Sequence, residues 1–145
     1  MLIIGCGNRQ RGDDAAGLIV AERLRDGGIP TQTCSGEATE VMELWRDHDD
    51  VIIIDAVTTA SRIGTLHIWD PEGLPKNCQV SASTHGLGIA EAVELSRTLG
   101  QLPARLRVYG IEGREFGVSS EISPDVMRAI EIAVGRIESE IRSRA

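Results

Sequence analysis

Asp14, Asp55 and His85 are the side chains in this sequence whose types and spacing best suit chemistry. Two carboxylates and an imidazole make a ligand set for a borderline divalent metal such as nickel, zinc or iron, with coordination positions left open for a partner or a water. The three are separated by about 30 to 40 residues, the spacing of successive strand–helix–strand units. Asp14 follows Asp13 in the run Gly5-Cys6-Gly7-Asn8-Arg9-Gln10-Arg11-Gly12-Asp13-Asp14-Ala15-Ala16-Gly17. Carboxylates there suit a cation or a proton transfer better than a phosphate. Each residue also has a plainer use. Asp14 could favour the positive end of a helix, Asp55 could stop an apolar strand, and His85 beside Gly86 could cap a loop. Convergence on one edge separates the two readings.

The elements that must position these residues follow from hydrophobic pattern. Residues 2–4 form a short apolar segment, with β-branched Ile3 and Ile4 followed by glycine, so they read as a buried strand. Residues 14–25 carry apolar side chains at helical spacing and stop at Gly27-Gly28. A short strand is expected at 31–34 after Pro30, and a helix at 38–46 with Val41, Met42, Leu44 and Trp45 on its apolar side. Residues 51–54 are four consecutive β-branched residues ending on Asp55, as a central parallel strand buried on both faces requires. An extended edge segment is expected at 63–68, followed by 79–84, which leads into His85-Gly86-Leu87-Gly88 and a helix to Leu99. Gly100 supplies the left-handed stop and Pro103 follows it. Residues 106–111 form the last core strand. Ser123 caps and Pro124 opens a final helix bearing Val126, Ala129, Ile130, Ala133, Val134, Ile137 and Ile141 at the 3.6-residue period.

This alternation predicts an α/β fold: a three-layer α/β/α sandwich around a mostly parallel five-stranded sheet. Residues 1–145 read as a single domain, long enough to bury roughly two-thirds of the surface exposed when unfolded. Asp14, Asp55 and His85 all fall at the carboxyl end of such a sheet, where open α/β proteins bind ligands.

Composition narrows the functions. Net charge is −7 and the fifteen basic residues are scattered, which argues against nucleic acid, whose phosphates need clustered Lys and Arg. No apolar run is long enough to span a membrane and no secretory leader is evident, so a cytoplasmic protein is expected. Cys6, Cys34 and Cys78 are odd in number and widely spaced, fitting neither a disulfide framework nor a structural zinc site. His48 lies in a charged turn, and His67 alternates within an edge strand with no acidic neighbour nearby. Neither resembles a ligand. Gly5-x-Gly7 lacks the third glycine of a dinucleotide turn, position 10 being Gln10. The phosphate-cradling G-x-x-x-x-G-K-[ST] loop and the Gly-x-Ser-x-Gly elbow are absent. Cys6 has no histidine placed to activate it.

The opening Ile4-Gly5-Cys6-Gly7-Asn8, followed by Gly12-Asp13-Asp14-x-x-Gly17, closely resembles the hydrogenase maturation proteases. Further matches are the apolar strand closing on Asp55-Ala56, Ser83-Thr84-His85-Gly86-Leu87, Tyr109-Gly110-Ile111-Glu112, and Ser123-Pro124 before the last helix. The resemblance covers nearly the whole chain in the same order.

That resemblance implies an endopeptidase that trims the carboxy-terminal extension of a nickel-iron hydrogenase large-subunit precursor. It implies nickel contacts at Asp14, Asp55 and His85, the ion being carried in by the substrate rather than stably bound. Asp14 or Asp55 would take a proton, without a Ser or Cys nucleophile. Many relatives carry an aspartate and then Gly-Gly-Thr after the second strand; here the stretch is Ser35-Gly36-Glu37-Ala38, leaving Glu37 as a substrate-binding candidate. The expected partner is the precursor, met by a monomer. Two rival readings are a small metallohydrolase with its own divalent metal at the same residues, and a non-catalytic chaperone that docks on the precursor.

Overall fold

The computed structural model describes residues 1–75, 79–80 and 88–144. His85 and Cys78, together with the Ser83–Leu87 motif, lie outside the described residues. In chain order the elements are β1 (Leu2–Cys6), a 3-10 turn (Gly12–Ala15), α1 (Ala16–Asp26), β2 (Gln32–Cys34), α2 (Ala38–Trp45), β3 (Asp50–Thr58), β4 (Leu66–Trp69), β5 (Gln79–Val80), α3 (Ile89–Thr98), β6 (Arg105–Glu112) and α4 (Pro124–Ser143). Five strands lie in the order β2-β1-β3-β6-β4, and the two-residue β5 pairs with β3. The β2, β1, β3 and β6 neighbours are parallel, whereas β4 and β5 run antiparallel to theirs. This is the mostly parallel α/β sheet that the alternating pattern predicts.

β3 explains the layering. Val51, Ile53 and Val57 join the core under α2 and α3, together with Ile4, Val41, Trp45, Ala92 and Val93. Ile52, Ile54 and Ala56 join the other core, under α1 and α4, with Val20, Leu24, Val126, Ile130 and Ile137. Alternate side chains of a strand point to opposite faces, so an unbroken apolar run is satisfied only with helices on both. Trp45 is fully buried, and its indole N–H donates to Ser96 Oγ at 3.0 Å, tying α2 to α3. No helix among the described residues is long and apolar enough to cross a membrane.

Three boundaries differ from expectation. The helix expected from residue 14 begins at Ala16, because Gly12–Ala15 forms a 3-10 turn with all four residues buried. Asp55 does not end its strand: β3 continues to Thr58, since β6 pairs alongside it to Glu112 and β5 pairs with Val57 and Thr58. The edge strand starts at Leu66 rather than at 63, because Gly64 takes a φ of 86° and Thr65 Oγ1 donates to the Arg62 carbonyl, closing a turn.

α1 lies unusually close to the sheet. A side chain on Gly17 would collide with the carbonyl oxygens of Ile54 and Cys6. Only hydrogen fits between the first turn of the helix and the backbone of β1 at Cys6 and of β3 at Ile54. Gly17→Ala is expected to destabilise the protein by about 1–3 kcal/mol through overpacking. A lowered urea midpoint with an unchanged m-value would register it; an unchanged midpoint would contradict the close packing.

Candidate active site

Asp13 and Asp14 are neighbours in sequence and do different work. Both are fully buried. The Asp13 carboxylate accepts four hydrogen bonds: from the backbone N–H groups of Arg114 (2.8 Å), Glu115 (2.9 Å) and Ser123 (2.7 Å), and from Ser123 Oγ (2.9 Å). Its own N–H donates to the Glu115 carbonyl at 2.7 Å. Asp13 therefore pins the chain between β6 and α4 to the 3-10 turn. Ser123 occupies the N-cap position of α4, as expected, but makes no side-chain cap. Its hydroxyl donates to Asp13 instead.

The strand–loop–helix crossing carries Asp14 near enough for its charge to act on Asp55 of β3. Asp55 lies one residue beyond the Gly5–Ile54 register pair, level with Cys6 at the carboxyl end of β1. It is fully buried. Oδ1 accepts from the Ala56 N–H at 2.8 Å, and Oδ2 has no hydrogen-bond partner among the described residues. Burial pushes the Asp55 carboxyl well above the usual carboxylate range, and the negative charge of Asp14 pushes it further; the Ala56 bond only partly opposes them. Asp55 thus keeps its proton unless a cation beside it stabilises the anion. The Asp14 backbone is fixed from both sides, its N–H donating to the Arg11 carbonyl and its carbonyl accepting from Asn8.

The β2–α2 turn closes over this pair. Gly36, at φ 93°, runs so near that an added Cβ would lie 3.2 Å from Asp55 Oδ2 and 3.5 Å from Cys6 Cβ. Ser35 holds the turn by donating from N–H and Oγ to Glu40 Oε1, at 2.8 and 2.6 Å. Glu37 is exposed and caps α2, accepting from the Thr39 N–H and hydroxyl at 3.2 and 2.5 Å. Those donors hold its carboxyl below the usual range. Glu37 sits on the rim and not in the buried pair.

Two groupings escape sequence reading. Cys6 and Cys34 are register partners on adjacent parallel strands, with sulfurs 3.2 Å apart. His67 does have an acidic neighbour: its Nε2 lies 3.2 Å from Glu112 Oε1, 45 residues on, because β4 folds back antiparallel on β6. Glu112 is buried and also accepts from the Thr59 N–H and hydroxyl, at 2.8 and 2.6 Å. Neither grouping has a signal in local spacing, since both depend on which strands pair. Among the described residues no set of three His, Cys, Asp or Glu side chains forms a metal site by itself.

Comparison with known proteins reads the same chain. A family model described as hydrogenase maturation protease matches residues 34–140. The chain belongs to this family of endopeptidases. It is 28% identical to the hydrogenase 2 maturation protease of Escherichia coli K12 over 149 aligned positions, covering 98% of this chain and 90% of that one. The hydrogenase maturating endopeptidase HybD of E. coli shares the fold, with a TM-score of 0.78 at 24% identity, covering 99% of this chain and 93% of HybD. The NiFe hydrogenase maturation protease HycI of Thermococcus kodakarensis superposes with a TM-score of 0.67 at 26% identity, covering 94% and 88%.

Two outcomes test the division of labour between the aspartates of this maturation protease. Asp13→Ala should cost about 3 kcal/mol or more, because it strands three backbone donors; chemical denaturation measures it. Asp55 titrates higher in the folded protein than in the unfolded chain, where its pKa is about 3.9. The native state therefore binds the extra proton, and stability falls as pH rises from that value through the folded pKa. In chelator-treated protein, Asp55→Asn should flatten this fall. Parallel pH–stability curves for variant and wild type would exclude the burial effect.

Proposed function

We propose that this protein cleaves the carboxy-terminal extension from a nickel-iron hydrogenase large-subunit precursor after nickel insertion, and that it recognises the ion the precursor carries. Family membership supports the peptidase activity and the class of substrate. The observation that carries the metal reading is the fully buried Asp55, held beside the charge of Asp14 with one carboxylate oxygen uncommitted among the described residues. Two buried carboxylates that repel each other are stabilised by a cation arriving between them.

Asp14, Asp55 and His85 are the residues assigned to contact the ion. Bound there, nickel supplies Lewis acidity, polarising the scissile carbonyl or acidifying a water. The chain itself supplies a proton store. Burial and Asp14 favour a proton on Asp55, and a cation docking alongside releases it. The carboxylate so formed, where it is not tightly ligated, is assigned to take a proton from the attacking water as a general base. Three carboxylate and imidazole donors suit an ion that softer thiolates of the precursor also hold. Glu37, exposed next to Gly36, keeps acceptor capacity beyond its two bonds to Thr39 and is assigned to contact the extended substrate. A covalent route through Cys6 is disfavoured, since burial raises its thiol pKa and leaves little thiolate.

Purified precursor with and without nickel provides the test, read by mass spectrometry of the large subunit's carboxy terminus. Cleavage is expected on the loaded form alone. Asp14→Asn, Asp55→Asn and His85→Ala should each lower kcat/KM by about 100-fold or more, the scale of general-base and ligand loss. Equal cleavage of loaded and empty precursor would defeat recognition of the ion.

A further inference from the structure

The Cys6–Cys34 pair takes no part in the hydrolysis described above, yet its placement is specific. Each is the last residue of its strand, β1 and β2, and the two are direct register partners. Both are free thiols, with sulfurs 3.2 Å apart. Neighbouring strands lie about 4.8 Å apart, within the Cα separation of about 4.4–6.8 Å that a disulfide spans. The pairing continues past the strand ends, where the Gly7 N–H donates to the Cys34 carbonyl at 3.1 Å. Bond formation therefore needs side-chain rotation and little backbone travel.

The two thiols are also unequal. Cys6 is fully buried, whereas Cys34 retains 9% of its surface at the rim of the turn. Either S–H can donate across the pair; with Cys6 as donor the Cys34 pKa is lowered, which favours its thiolate, the state that attacks an oxidant. Both chains leaving this pair run directly to the site. Beyond Cys6 lies the loop to Asp14; beyond Cys34, Gly36 packs against Asp55 Oδ2 and Cys6 Cβ.

We propose that Cys6 and Cys34 are a disulfide-forming modification site, oxidised by a peroxide, whose bridge re-sets the Ser35-Gly36-Glu37 turn above Asp55. Cys34 as thiolate attacks one peroxide oxygen; the O–O bond breaks, a sulfenic acid forms, and the departing hydroxide is protonated to water. Cys6 sulfur then attacks the sulfenic sulfur; the S–O bond breaks, and the leaving hydroxide combines with the thiol proton as a second water. Two thiols lose two electrons and two protons, and one peroxide becomes two waters. The effect on activity rests on the peptidase reading above; the bridge itself does not.

Reduced wild-type protein is treated with hydrogen peroxide, its remaining thiols are alkylated, and tryptic peptides are weighed. The expected product joins residues 1–9 to residues 26–46, two hydrogens lighter than the separate peptides, and dithiothreitol reverses it. Hydrogen exchange across residues 35–39 should slow in the bridged form. Bridged protein should cleave nickel-loaded precursor at least tenfold more slowly than reduced protein, and Cys34→Ser should lose this sensitivity to peroxide. A bridge to Cys78, sulfinic acid at Cys34 with Cys6 still alkylated, or a bridge that changes neither exchange nor cleavage would overturn the proposal. If reduced protein leaves the precursor uncut, the peptidase reading fails. The linked peptide and the exchange rates still judge the thiol pair.

Discussion

Burying aspartate carboxylates at the end of an apolar sheet is the constraint around which this site is organised. Asp13, Asp14 and Asp55 are all removed from water, and an isolated buried carboxylate is costly unless hydrogen bonds, a proton or a cation compensate it. Asp13 is compensated by four donors from a segment about a hundred residues away in sequence. That compensation closes the chain between β6 and α4 against the 3-10 turn. The turn, so held, carries its next residue, Asp14, whose charge acts on Asp55. The two carboxylates are adjacent in sequence, and the one that is hydrogen-bonded to the β6–α4 segment fixes the turn that carries the other.

Close packing makes this arrangement possible. Gly17 lets α1 approach β1 at Cys6 and β3 at Ile54, and Gly36 lets the β2–α2 turn cover Asp55. Larger residues at either point would hold helix or turn away and admit water. Solvation of Asp55 would then lower its pKa. The same enclosure places the two thiols beside the carboxylate pair, so that the β2–α2 turn responds to what happens at either.

The fold was largely legible in one dimension. The β-branched run at Val51–Ile54 requires a central strand, and its flanking helical periodicities require cover on both faces. The final helix could be read from Pro124 to Ile141 because the 3.6-residue period is a local property. Boundaries were less legible. Asp55 reads as the end of an apolar run, but strand length is decided by what pairs alongside. β6 continues to Glu112 and carries β3 with it. His67 was likewise legible only as an edge-strand residue, since its carboxylate partner belongs to the neighbouring strand.

By itself, sequence determined residue type and periodicity: which segments are apolar, where glycine and proline break them, and that carboxylates follow the first apolar run and the run at Val51–Ile54. These are local, because propensity and amphipathic spacing act within a few residues. Tertiary structure alone decided that Asp13 accepts four hydrogen bonds while the charge of Asp14 acts on Asp55, that Cys6 meets Cys34, and that Glu112 meets His67. Each outcome depends on strand order, register and the distance of approach of α1, and those are selected by the packing of the whole sheet.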